Sequence, residues 1–114
     1  MKRSSEGGPE LNPDRILRWH DRAVQDLEEA HSYLLEHSPP AARRFAKTVL
    51  DAAERLRFYP ELGPIAWDLR PQGRYRSWVC GHHRLIYRVD SEVVWLLRVW
   101  DSRRNPNHLT APDA

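Results

Sequence analysis

Only one of the 114 residues is a cysteine, Cys80, so neither an internal disulfide framework nor a cysteine-built metal site can form within one chain. A reducing compartment suits such a chain. Lysine is almost as scarce: Lys2 and Lys47 are the only two among 18 basic residues, the rest being arginine. Arginine stays protonated and forks well onto phosphate or carboxylate, but it makes a poor proton acceptor. Long apolar runs are missing too, and none approaches the ~18–20 residues of a membrane span. Met1-Lys2-Arg3 leads into Ser4-Ser5-Glu6-Gly7-Gly8-Pro9, where a signal peptide would need an apolar stretch. A cytoplasmic protein is expected. No glycine-rich phosphate loop, His-Glu-x-x-His pair, helix-turn-helix or zinc motif is found, and His31 and His37, six apart, cannot share one helical face. Neither a cofactor nor a metal is expected.

What is present is enough for one domain. Apolar residues make up 40%, including five tryptophans and four tyrosines, and the net charge is only +2. The charge is unevenly placed. Within residues 69–104 eight arginines face only Asp90, Glu92 and Asp101, which gives this part of the chain a local positive field.

Residues 1–14, polar and without periodicity, read as a flexible N-terminal tail, and residues 110–114 as a C-terminal tail. Arg15 to His20 is a short candidate strand. Asp21 is placed to cap a helix in which Ala23, Leu27, Ala30 and Leu34 mark one face up to His37-Ser38. Pro39-Pro40 can open a second helix, whose stripe runs Ala42, Phe45, Ala46, Val49, Ala52, Ala53 and Leu56 to about Phe58. So short a link predicts an antiparallel helical hairpin. Alternation then predicts strands from Arg74 to Cys80, His83 to Val89 and Val93 to Trp100, with turns at Gly81-His82 and Asp90-Ser91-Glu92. The expected fold is α+β, ordered β-α-α-β-β-β, with the hairpin on one face of a mainly antiparallel four-stranded sheet.

Strand parity sorts the side chains into two faces. Counted strand by strand, one face is apolar and receives the hairpin. The other gathers Arg74, Arg76, Arg84, Arg88 and Arg98 with Trp78 and Trp100. Arginine beside aromatic surface suits phosphate contact with base stacking, or a protein partner, or simply a solvated face in an arginine-biased chain. Trp19 and Trp67 read as packing residues.

The hairpin Asp21–Phe58, Pro60-Glu61-Leu62-Gly63, the run Gly81-His82-His83-Arg84-Leu85-Ile86-Tyr87-Arg88 and the run Leu97-Arg98-Val99-Trp100-Asp101-Ser102-Arg103-Arg104-Asn105-Pro106 together resemble the RelE/ParE superfamily of type II toxins. The resemblance covers roughly residues 15–109. It implies a growth-arresting toxin with a cognate antitoxin that wraps it, in a hetero-oligomer that meets operator DNA only through the antitoxin. It leaves two mechanisms. RelE-like members cut mRNA on the ribosome, whereas ParE-like members poison DNA gyrase without an obvious catalytic residue.

Cutting RNA through its 2′-OH needs a proton acceptor, a proton donor and cations around the phosphate. Arg84 matches the superfamily's strand arginine, and Arg103 or Arg104 the arginine beyond the last strand. Arg76 lies near a basic strand position. His108 is the candidate acid or base. The departures are that the C-terminal half holds no lysine and that the C-terminal tyrosine of several ribonuclease members is missing. The expected catalytic set is Arg84, Arg103 and His108. Arg74, Arg76, Arg88, Arg98, Arg104, Trp78 and Trp100 are expected on phosphate or RNA. Asp101 is expected to pair with a neighbouring arginine rather than act as a base. The sequence tilts slightly toward the endonuclease; gyrase inhibition is the alternative, and a diverged toxin that only binds its antitoxin is a third.

Overall fold

The helical hairpin turns on one residue. In the computed structural model, which describes residues 15–112, α1 spans Asp21–His37 and α2 spans Pro39–Phe58, with Ser38 between them. The Ser38 backbone N–H closes α1 on the Leu34 carbonyl, and its hydroxyl accepts the Ala41 N–H to open α2. Pro39 and Pro40 occupy first-turn positions where no N–H is needed. At the start of α1 the cap is His20 rather than Asp21: its Nδ1 accepts the Arg22 N–H at 3.0 Å. Asp21 is instead the first helical residue, where a carboxylate favours the positive helix end.

The strands are β1 (Ile16–Trp19), β2 (Arg76–Cys80), β3 (His83–Val89) and β4 (Val93–Asp101), in the sheet order β1-β4-β3-β2. β1 runs parallel to β4, and the other two pairings are antiparallel. One short 3₁₀ turn, Pro106–His108, follows. The α+β order and mainly antiparallel sheet expected from the sequence are therefore found. The tail expected at residues 1–14 lies outside the described residues, as do residues 113–114.

The face sorting is corrected in two places. A two-residue hairpin at Gly81-His82, with Gly81 at φ 64°, sets Cys80 opposite His83 and hence Trp78 opposite Leu85. Arg76 and Trp78 thus share the helix-facing side with Leu85 and Tyr87, not the side of Arg84. In β4 the register jumps between Ile86↔Arg98 and Tyr87↔Leu96, so Leu97 is an extra residue. Such a bulge inverts the alternation beyond it. Val94, Leu96 and Val99 therefore face the helices, while Leu97 and Trp100 face away.

Each face of the sheet has its own core. On the helix side Ala23, Val49, Ala53 and Leu56 pack on Leu85, Tyr87, Val94, Leu96 and Val99. Alanines at the contact let the helices approach closely, and burial of the larger side chains contributes about 1.5–3 kcal/mol each. On the outer side Ile86, Leu97 and Trp100 are covered by Ala66, Leu69 and Tyr75 from the stretch before β2, and by Leu109 near the C-terminus. That stretch is tied along the β2 edge by Ser77 N–H to the Pro64 carbonyl and Ala66 N–H to the Tyr75 carbonyl. Gly63 is pressed against this edge: a Cβ there would meet the Tyr87 hydroxyl at 2.6 Å and the Ser77 carbonyl oxygen at 2.7 Å.

Candidate functional site

The expected arginines do not form one surface. Arg84 lies on the outer face, where its Nε donates to the Ser77 hydroxyl at 2.9 Å. Its two terminal nitrogens fork onto Asp68, at 3.1 and 3.2 Å. Those bonds hold the Asp68 carboxyl below its ordinary range. Arg88, also outward, pairs with Asp90. Arg76 donates to the Gly63 carbonyl at 2.7 Å and braces the stretch before β2. Arg74 precedes β2, in the turn rather than on the strand.

Arg98 is 1% exposed. The bulge swings it to where β1 has ended and α1 begins. There its Nε and Nη2 grip Asp26 at 2.7 and 3.2 Å, and its Nη1 donates to the Thr110 carbonyl. It is an interior brace joining β4, α1 and the C-terminal stretch, and it presents no surface to a phosphate. Trp100 is buried beneath the guanidinium groups of Arg98 and Arg104, at 5.2 and 4.9 Å. Trp78 packs against the helical core. Neither tryptophan offers an open ring face to a base.

Beyond β4 the exposed Arg103 turns back on Asp101 through Nε, Nη2 and its backbone N–H. This pairing, expected from the sequence, holds the Asp101 carboxyl down at about 2. His108 ends the 3₁₀ turn and is exposed. Cys80 is buried, and burial pushes its thiol up, away from the thiolate a nucleophile needs.

A groove of about 490 Å³ runs between α1 and the end of β4. Asp26, Glu29, Ala30, Tyr33 and Leu34 form one wall; Val99, Asp101, Arg103, Arg104 and His83 form the other. Ala30, Leu34 and Val99 give it an apolar floor beneath an acidic and a basic rim. His83 is half-buried, its ring 4.8 Å from that of Phe45, and burial pulls its imidazole down toward the neutral form. Among the described residues no group of three His, Cys, Asp or Glu side chains is placed to hold a metal ion, and no helix is long and apolar enough to cross a membrane.

Sequence reasoning missed Trp67. Expected in a packing role, it is 62% exposed. It stands between buried Ala66 and Leu69, beside Asp68 and over Gly73. The signal was its setting between Pro64 and Pro71 in a segment without helical or strand periodicity, where a tryptophan need not face a core.

Comparison with known proteins adds the following. The model of a family described as the ParE toxin of the type II toxin–antitoxin system parDE matches residues 17–106. Among solved structures the chain is similar to one from the chromosomal ParDE toxin–antitoxin system of P. aeruginosa. The TM-score is 0.63 at 17% identity, over 77% of this chain and 96% of that one. No curated protein matches significantly.

Proposed function

The chain belongs to the ParE toxin family of type II toxin–antitoxin systems, and from that membership we propose that it arrests growth by binding DNA gyrase rather than by cutting mRNA. The observation that carries this reading is the state of the arginines. A phosphoryl-transfer site needs cations free to meet charge as it develops, together with a positioned proton acceptor. Arg84, Arg88, Arg98 and Arg103 each already hold a carboxylate. His108, the residue offered as acid or base, stands on an exposed turn beyond the sheet. A binding protein needs none of that machinery. It needs surface, and the molecule has exposed apolar side chains at Tyr33, Trp67 and Val79 among its charged groups.

The partner follows from the same membership. A cognate antitoxin would silence the toxin by lying in the groove beside α1, its apolar side chains on Ala30, Leu34 and Val99 and its charged ones on Glu29, Arg103 and Arg104. The pair would act on operator DNA through the antitoxin.

The test is two purified reactions run side by side. Supercoiling of relaxed plasmid by gyrase should fall as toxin is added, and a coupled translation reaction should continue with intact mRNA. Unimpaired supercoiling with mRNA cut on the ribosome would overturn the reading and return Arg84, Arg103 and His108 to the catalytic roles expected from the sequence.

A further inference from the structure

The helical hairpin sorts its charges by helix. α1 carries five carboxylates and one arginine, whereas α2 carries five basic residues and two carboxylates. The exposed side chains of Asp21, Glu28 and Glu36 on α1 hold no ion pair among the described residues, and neither do those of Arg43, Arg44 and Arg55 on α2. Lys47 turns to Asp51 on its own helix, in a pair so exposed that it contributes little. Two helices of opposite charge, joined through a single residue, thus leave these groups unmatched within the chain.

Helical phase places them. Val24, Glu28, His31 and Leu35 form a stripe one residue on from the inward stripe of Ala23, Leu27, Ala30 and Leu34. Asp26, Glu29 and Tyr33, one residue back, line the groove beside β4, so the forward stripe borders α2. Arg43, Lys47, Leu50 and Glu54 likewise stand one residue on from Ala42, Ala46, Val49 and Ala53, and on an antiparallel helix that side borders α1. The outward seam between the helices therefore carries Val24, Leu35 and Leu50, which are 37%, 48% and 50% exposed, beside Glu28 and Lys47. Height along the hairpin is counted from Ser38. Asp21 and Arg55 are each 17 residues from it, and Glu28 and Lys47 are ten and nine away.

We propose that this face docks a second copy of the chain, hairpin on hairpin, about a two-fold axis parallel to the helices. Such an axis preserves height and lays each α1 on the α2 of the other copy, so every contact is made twice. Asp21 meets the second copy's Arg55, and Glu36 lies within a turn of the second copy's Arg43. At mid-height Glu28 and Lys47 of both copies form a neutral ring of four charges. Val24 and Leu50 pack on its open side and Leu35 on its tip side. The charge pattern selects a second copy over a partner of one sign, because an acidic helix and a basic helix complement only a surface that carries both. A helix of 17 residues is about 26 Å long, and two side by side are about 20 Å wide. The face therefore buries about 500 Å² per copy, or about 1,000 Å² in all, at the weak end of specific interfaces. The dimer is accordingly weak, with a Kd on the order of 10–100 μM. It shares no residue with the groove assigned to the antitoxin, and it stands whichever cellular target the toxin has.

The experiment is sedimentation equilibrium of the full chain from about 1 to about 500 μM. At low salt monomer should pass to dimer within that range, and added salt should move the transition to higher concentration. Glu28→Lys turns the ring into four like charges and should weaken self-association by about tenfold or more. Lys47→Glu should do the same. Mixed in equal amounts, the two variants should associate as the wild type does, because both ring contacts of the mixed pair regain opposite signs. A charge repaired only within one chain would not respond to mixing. Circular dichroism checks each fold. Should either single variant unfold, the chain carrying both Glu28→Lys and Lys47→Glu decides the matter, since its ring is again neutral and it should dimerise like the wild type. A chain that stays monomeric to about 500 μM at low salt would overturn the proposal. So would self-association that Glu28→Lys leaves intact, which would put the interface elsewhere, or a mixture of the two variants no more associated than its parts.

Discussion

Removing the carboxylate of Asp26 should cost the protein more than any other single change to a charged residue. Asp26 is 9% exposed and its partner Arg98 is 1% exposed. The carboxylate accepts two bonds from the Arg98 guanidinium and one, at 3.0 Å, from the Val99 N–H. In Asp26→Ala the guanidinium keeps only the Thr110 carbonyl, and the Val99 N–H loses its acceptor beside the bulge. Breaking a buried pair from one side costs about 3–5 kcal/mol, because a charge is left inside without its counterion. Against a total stability of about 5–15 kcal/mol for a domain of this kind, that is about a fifth or more. At about 4–8 °C per kcal/mol, the melting temperature should fall by about 12 °C or more. Asp26→Asn keeps an acceptor for Val99 and should lose less. The informative partner is the double change Asp26→Leu with Arg98→Met, which removes both charges and should recover to within about 1 kcal/mol of the wild type. Urea unfolding followed by circular dichroism gives all four values. A loss below about 1 kcal/mol in Asp26→Ala would refute the reasoning. A double variant as unstable as the single one would show that shape, not charge, is what the site requires.

Other perturbations test the frame around the site. Gly63→Ala forces a Cβ against the Ser77 carbonyl and the Tyr87 hydroxyl, and should destabilise by about 1–3 kcal/mol in the same urea assay. Tyr87 donates its hydroxyl to the Pro60 carbonyl and accepts the Gly63 N–H, so Tyr87→Phe should cost about 1–3 kcal/mol by leaving both unsatisfied. Burial also pushes the Tyr87 phenol from 10.0 up to about 12. The unfolded chain therefore loses its proton first, so stability should hold up to pH 10, fall between pH 10 and about 12, and fall less steeply in Tyr87→Phe. His20→Ala removes the α1 cap and should cost about 0.5–2 kcal/mol, while His20→Asp should restore it, as read from thermal melts.

The order of elements was legible because each carries a local cause. Ser38 followed by two prolines makes a helix boundary wherever it occurs. The stripe from Ala42 to Leu56 has a period only a helix can bury on one side, and Gly81-His82 joins two alternating runs at the shortest hairpin length. The phase of β2 was also within reach. A two-residue loop puts Cys80 opposite His83, so counting back pairs Trp78 with Leu85 and moves Arg76 and Trp78 to the helix side. The error lay in counting each strand alone, without letting the turn tie their phases together. The outer cover was harder to read: Ala66, Leu69 and Leu109 are scattered through proline-rich stretches, and nothing periodic announces that they meet over Trp100.

The bulge at Leu97 is of another kind, because no residue near it signals an extra position. Val93 to Trp100 alternates as well with the bulge as without it, and only the three-dimensional register decides. Yet that one residue separates the roles of two arginines that the sequence puts on equal terms. Without it, Arg98 would fall in phase with Val94 and Leu96 and point at the helical core, where a guanidinium has no counterion. With it, Arg98 turns to the edge where β1 ends, and Asp26 reaches it from the second turn of α1. What remains outward on β3 is Arg84 and Arg88, each already paired with a carboxylate, Asp68 and Asp90. A surface reduced in that way is suited to binding and poorly suited to catalysis. That arrangement is the ground on which a binding rather than a cutting toxin is proposed.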